Sequence, residues 1–277
     1  VQVSRTLRGL LVACHPGPTL VVTAVATALA IEVGRGEAST WVALAVLAGQ
    51  LSVGWSNDSL DADRDALAGR AEKPVVAGLL ARRTVAIAAL GALIACVPLS
   101  LASGWRAGCI HLVAVASAWA YNLGLKATWL SPLPYALSFA LLPAFVTMGL
   151  PGSPWPRAGV MVVAALLGLG AHFINTVPDY AADELGGVDG LPQRLGPRRS
   201  LVVGVLLLGA SALVIAVLCA HRSTASTLLV LCALLADGVV LEAAAHRRER
   251  QAWRFTLVTA GFCVAAFVAA GSQVLLA

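Results

Sequence analysis

The chain has 277 residues, of which 59% are hydrophobic and only 12% charged, with a mean hydropathy of +0.85. Soluble domains carry nearer 25% charged residues, so this chain has too little polar surface to cover a water-soluble globule and takes lipid as its solvent. Its net charge of +5 comes from basic residues scattered singly between apolar runs, a membrane-topology pattern that excludes a nucleic-acid-binding stripe. Six cysteines without a C-x-x-C pair indicate neither a zinc site nor a disulfide framework.

Nine apolar stretches, each long enough to cross a hydrocarbon core of about 30 Å, follow in chain order. They cover 10–33, 39–56, 84–103, 107–123, 133–150, 158–177, 200–220, 225–245 and 255–277. The first includes a Pro16-Gly17-Pro18 break and is too long for a signal-peptide core, so it reads as a span. Connections are short apart from 57–83 and 178–199. The expectation is an all-α polytopic membrane protein of nine transmembrane helices around a central cavity, a single domain over 1–277 with two pseudo-repeated halves, approximately 1–130 and 131–277.

Orientation follows from Lys and Arg. With a cytoplasmic N-terminus, that side receives Arg5, Arg8, the basic residues of both long loops, Lys126 and the cluster Arg247–Arg254, fifteen in all. The other side keeps Arg35, Arg106, Arg157 and Arg222. Fifteen against four places the N-terminus and both long loops in the cytoplasm.

Nine of the fourteen acidic residues lie in those two loops. There the pattern Asn-x3-Asp-x3-Asp occurs twice, as Asn57/Asp61/Asp65 and Asn175/Asp179/Asp183, with a constant offset of 118 residues. A spacing of four sets each trio along one helix face; Asp58 joins the first row, whereas Asp63 points elsewhere. Carboxylates so aligned repel one another, and hard Mg²⁺ suits them, because it takes one or two carboxylates and leaves its remaining positions to water and phosphate. Asp58, Asp61, Asp65, Asp179 and Asp183 are the candidate Mg²⁺ ligands, and two facing rows would cradle a diphosphate. Arg64, Lys73, Lys126 and Arg194 lie on the same side as compensating cations.

At these residues the sequence resembles the UbiA superfamily of intramembrane prenyltransferases. Asn57-Asp58-Ser59-Leu60-Asp61-Ala62-Asp63-Arg64-Asp65 matches its N-D-x-x-D-x-x-x-D motif, followed by Lys73-Pro74 and Gly78. Asp179-Tyr180-Ala181-Ala182-Asp183 matches its second D-x-x-x-D, with Leu191-Pro192-Gln193-Arg194-Leu195-Gly196 after it; Tyr121 to Lys126 is similar to the short Tyr…Lys element between the motifs. The likeness covers essentially the whole chain. It implies Mg²⁺-dependent ionisation of a prenyl diphosphate and capture of the allylic cation by a lipophilic or aromatic acceptor, at the cytoplasmic face of the cell membrane. Asp61, Asp65, Asp183 and Lys126 take catalytic roles by this resemblance, and Asn57, Arg64, Lys73, Tyr121, Asn175 and Arg194 contact substrate. One departure stands out: members acting on aromatic acids commonly carry an Arg before the first-span Pro, where this chain has Cys14-His15.

Three further polar residues attract attention. Asp237 falls mid-span, where an ionisable group is costly, and is a candidate acceptor contact. His172, one helical turn before Asn175, projects toward the same mouth as a candidate substrate contact, and His15 sits at a helix break. His111 fits an interhelical contact. A terpene cyclase needs the same Asp rows. A secondary transporter would suit the duplicated pattern, but it places its ion ligands near the bilayer midplane.

Overall fold

The computed structural model describes residues 2–219, 223–246 and 248–276; Arg222 and Arg247, counted in the charge bias, lie outside them. The described residues are helical, with one isolated bridge between Pro156 and Leu276. Thirteen helices follow in order: α1 Gln2–Ala13, α2 Pro16–Glu32, α3 Ser39–Leu60, α4 Ala62–Leu67, α5 Arg82–Leu101, α6 Trp105–Leu123, α7 Pro132–Thr147, α8 Ala158–Asn175, α9 Tyr180–Leu185, α10 Leu191–Leu195, α11 Pro197–Leu218, α12 Thr224–Ala245 and α13 Glu249–Ala270.

Proline and glycine set many of the boundaries. Pro16, Pro132 and Pro197 occupy the first turns of α2, α7 and α11, where the missing N–H would have no intrahelical partner. The α5–α6 turn closes at Gly104 (φ 101°), in the region open to a residue without a Cβ. The sequence places the start of the first span at residue 10, but the chain bends by 66° between α1 and α2. His15 sits at that bend in a left-handed conformation, φ 52° and ψ 69°, which is uncommon outside glycine but which histidine adopts more readily than most residues.

Among the described residues, six helices are long and apolar enough to cross a membrane, or seven if α1 and α2 form one bent span. Two of the nine expected spans fall outside that set. α7 has only 16 residues, and α6 carries Arg106, His111, Ser117 and Asn122. Large apolar side chains such as Ile94, Leu206, Val217 and Leu235 remain exposed on the outside of the bundle, as helices that face lipid require.

Small residues let the helices approach closely. Gly170 of α8 and Gly204 of α11 face each other, and a Cβ on either would meet the other's carbonyl oxygen at 3.1 Å. A Cβ at Gly54 would stand 2.7 Å from the Cys14 carbonyl, so α3 can press against the α1–α2 bend only without one. His111 forms the interhelical contact expected of it, bonding Ser100 Oγ at 2.8 Å and stacking on Phe145.

Candidate active site

The two Asp motifs meet at one end of the bundle. Asp61 ends α3 and begins α4, and α4 packs against α9, which carries Asp183. The second row differs from the continuous helix face that its spacing suggests. α8 ends at Asn175, Pro178 interrupts the backbone pairing, and Asp179 stands immediately before α9.

Each carboxylate of the first row faces a cation. Asp58, with a side chain only 1% exposed, accepts from Lys73 Nζ at 2.6 Å and lies 3.2 Å from His15 Nε2. Asp61 accepts from Lys126 Nζ at 2.5 Å, and also pairs with Arg64 and takes the Asn57 amide at 2.9 Å. Asp65 lies 3.4 Å from Arg70, whose other nitrogens reach Asp179 at 2.9 Å and Glu72 at 3.1 Å. Arg70 therefore links the two motifs directly, a role its place in the loop gave no hint of. Asp63 points away as expected, its side chain 82% exposed and paired with Arg82.

Asp183 sits opposite this row. Burial raises its pKa to about 6; the Gln193 side-chain amide, donating to Asp183 Oδ2 at 2.7 Å, works in the other direction. Burial also lifts Asp65, against the pull of Lys73 and Arg70, and lowers Lys126 against the pull of Asp61. For Arg70, burial opposes the charge, but Asp179, Glu72 and Asp65 outweigh it and its pKa rises.

Beneath the carboxylates lies an aromatic cluster. His172 is 1% exposed, with its ring centroid 4.7 Å from Tyr135 and 5.6 Å from Tyr121. Its Nε2 pairs with Ser131 Oγ, which also accepts from the Leu191 backbone N–H, so the loop after the second motif is tied to this cluster. Tyr135 lies beside Asn175 and stacks on Phe139. Phe139 in turn borders a cavity of about 70 Å³ lined only by apolar side chains of α2, α7, α8 and α13.

Two expected site residues make no hydrogen bond or ion pair with the motif carboxylates. Arg194 pairs with Asp189 at 2.8 Å and is half exposed, so Arg70 takes the bridging position instead. Asp237 is buried on α12 facing Gly209 of α11, among residues that do not line the apolar cavity, and its Oδ1 has no partner. Sequence reasoning passed over Arg70, Tyr135, Gln193 and Asn122; the last holds Ser56 Oγ and the Val53 carbonyl below Asn57.

Among the described residues, no three His, Cys, Asp or Glu side chains converge closely enough to hold a metal unaided. The donor set nonetheless suits a hard cation: the oxygens are carboxylates, and Asp58 Oδ2 is buried with no hydrogen-bond partner. Five carboxylates face four Lys or Arg side chains, leaving the mouth close to neutral.

The profile of the UbiA prenyltransferase family matches residues 17–266. A bacteriochlorophyll synthase 33 kDa chain from Cereibacter sphaeroides is 32% identical over 83% of this chain and 81% of its own length. The counterpart from Rhodobacter capsulatus is 31% identical over 62% of this chain, and the matched part spans only 61% of that relative. In fold, the chain is similar to a UbiA homolog from Archaeoglobus fulgidus bound to DMAPP and Mg²⁺, with a TM-score of 0.71, 16% identity, and coverage of 93% of this chain and 97% of that one. The chain is a member of the UbiA prenyltransferase family.

Proposed function

We propose that this protein ionises a prenyl diphosphate at the mouth formed by its two Asp motifs and transfers the prenyl group to a lipophilic, aromatic-ring acceptor. The observation that carries this reading is the meeting of the α3–α4 and α9 carboxylates directly above an aromatic cluster and a purely apolar cavity. A polar, charge-balanced head site over a dry tail site suits a molecule with a diphosphate at one end and hydrocarbon at the other. The crystallised A. fulgidus homolog, bound to DMAPP and Mg²⁺, supports the same reading.

Asp58, Asp61, Asp65, Asp179 and Asp183 would hold Mg²⁺, which when bound neutralises charge on the leaving diphosphate. Lys73, Arg64, Lys126 and Arg70, now paired with these acids, would supply further positive charge to the phosphate oxygens. As the C1–O bond breaks, its electron pair leaves with the diphosphate, and the allylic cation is left facing Tyr121, Tyr135 and His172. The ring faces of Tyr121 and Tyr135 attract a cation, and the apolar walls keep water away. The acceptor then supplies the electron pair for the new bond and loses a proton to the released diphosphate.

The positive-inside bias supports nine crossings, with the N-terminus and the mouth in the cytoplasm and the polar α6 and short α7 among the spans. Cysteine labelling from either side of sealed vesicles tests that arrangement: a cysteine at Asp63 should react only from the cytoplasmic side. Incubating the purified protein with prenyl diphosphates and candidate acceptors tests the chemistry; product formation that persists in EDTA would contradict it.

A further inference from the structure

The apolar cavity has a floor, and the floor has a second void behind it. Leu29 of α2, Pro143 of α7 and Val160 of α8 line the 70 Å³ cavity; the same three residues also line a void of about 10 Å³ farther out, toward Val33 and Leu275. Leu29 is 6% exposed and Val160 2%, so both are held firmly in the wall between the two spaces.

The helices themselves measure how far this floor lies from the mouth. On α8, Val160 lies fifteen residues before Asn175, and at 1.5 Å per residue that is about 22 Å. On α2, Leu29 lies fourteen residues beyond His15, which contacts Asp58, and the same rise gives about 21 Å. Two helices on different sides of the cavity thus agree. An extended isoprene unit advances four carbon–carbon bonds, about 5 Å. A tail that runs from the mouth past the aromatic cluster and along this cavity would reach the floor with four units, and a fifth would have to pass Leu29 and Val160.

We propose that Leu29 and Val160 set the upper limit of prenyl chain length at four isoprene units, a C20 diphosphate. The inference rests on the prenyl-transfer reading above and adds the size class of the donor. Pro143 shares the wall, but its ring is fixed within α7, so the two aliphatic side chains are the adjustable part of the floor.

The test is a competition among C10, C15, C20, C25 and C30 prenyl diphosphates with one acceptor, with the product lengths read by mass spectrometry. The wild-type protein should use C20 and lose at least tenfold in kcat/KM at C25. Leu29→Ala opens the wall into the outer void and should move that drop from C25 to C30. Val160→Phe fills the cavity from below and should bring the drop down to C20, so the two variants shift the limit in opposite directions. Mg²⁺-dependent binding of inorganic pyrophosphate, which engages only the mouth, reports whether each variant remains folded. Equal use of C20, C25 and C30 by the wild type would overturn the floor and indicate a tail that leaves sideways between helices. An unchanged length profile in both folded variants would overturn it too. Failure of the wild type with every length, despite pyrophosphate binding, would instead sink the prenyl-transfer reading on which the limit depends.

Discussion

Replacing Gln193 with Leu removes the amide that donates to Asp183 at 2.7 Å while keeping a side chain of similar length. A hydrogen bond to a charged group contributes about 1.5–3 kcal/mol; at this partly exposed carboxylate the lower end applies. Losing about 1.4 kcal/mol raises the pKa by about one unit. A carboxyl that titrates at about 6 in the native protein then titrates nearer neutrality in the variant. Below its pKa, Mg²⁺ has to displace a proton from Asp183, so the Mg²⁺ requirement rises as the pH falls. The assay is the Mg²⁺ concentration for half-maximal turnover, measured at pH 6, 7 and 8.5. Gln193→Leu should need about fivefold more Mg²⁺ than wild type at pH 6 and about twofold more at pH 7, with the gap closing by pH 8.5. A gap of equal size at all three pH values would mean that Gln193 acts on loop structure alone, and no gap would refute the role assigned to it.

Asp61→Ala and Asp183→Ala should each abolish turnover without unfolding the protein, whereas Asp63→Ala should stay within a few-fold of wild type, because Asp63 faces Arg82 and solvent; steady-state kinetics beside circular dichroism checks this. Arg70→Ala leaves Asp65 and Asp179 without their shared cation, and should lower thermal stability in detergent by about 1–2 kcal/mol. Added Mg²⁺ should restore more stability to that variant than to wild type; an equal Mg²⁺ response would argue against a cation shared between the motifs. Gly54→Val would drive a side chain into the Cys14 carbonyl, costing about 1–3 kcal/mol, and should lower the melting temperature; an unchanged value would refute that close packing.

Much of this arrangement was legible in the sequence. The apolar runs located the long helices, because hydropathy over about 20 residues is dictated by lipid, and the repeated Asn-Asp spacing identified the carboxylates that converge. Other features depend on tertiary contacts that a linear pattern does not carry. Arg70 looked like one loop cation among several, and only the packing of α4 on α9 makes it a bridge. Arg194 looked equivalent but is taken by its near neighbour Asp189. The second Asp row was expected on one helix face, and Pro178 breaks that face. His15 was recognisable as a residue beside a break, but not as a partner of Asp58, since the contact spans 43 positions and depends on the 66° bend. Asp237 was conspicuous for its burial in an apolar run, yet burial alone did not tell whether it faces the cavity or another helix.

The central claim is that Mg²⁺ and the two carboxylate rows together drive departure of diphosphate from a prenyl chain. Its most direct test is diphosphate release by the purified protein from geranyl, farnesyl and geranylgeranyl diphosphates. The assay is run with Mg²⁺ or EDTA, and with and without phenolic acceptors. Release that requires Mg²⁺, stops in EDTA and rises with an acceptor is the predicted result. Release unaffected by EDTA, or no release from any of the three by a protein that binds them, would contradict the account.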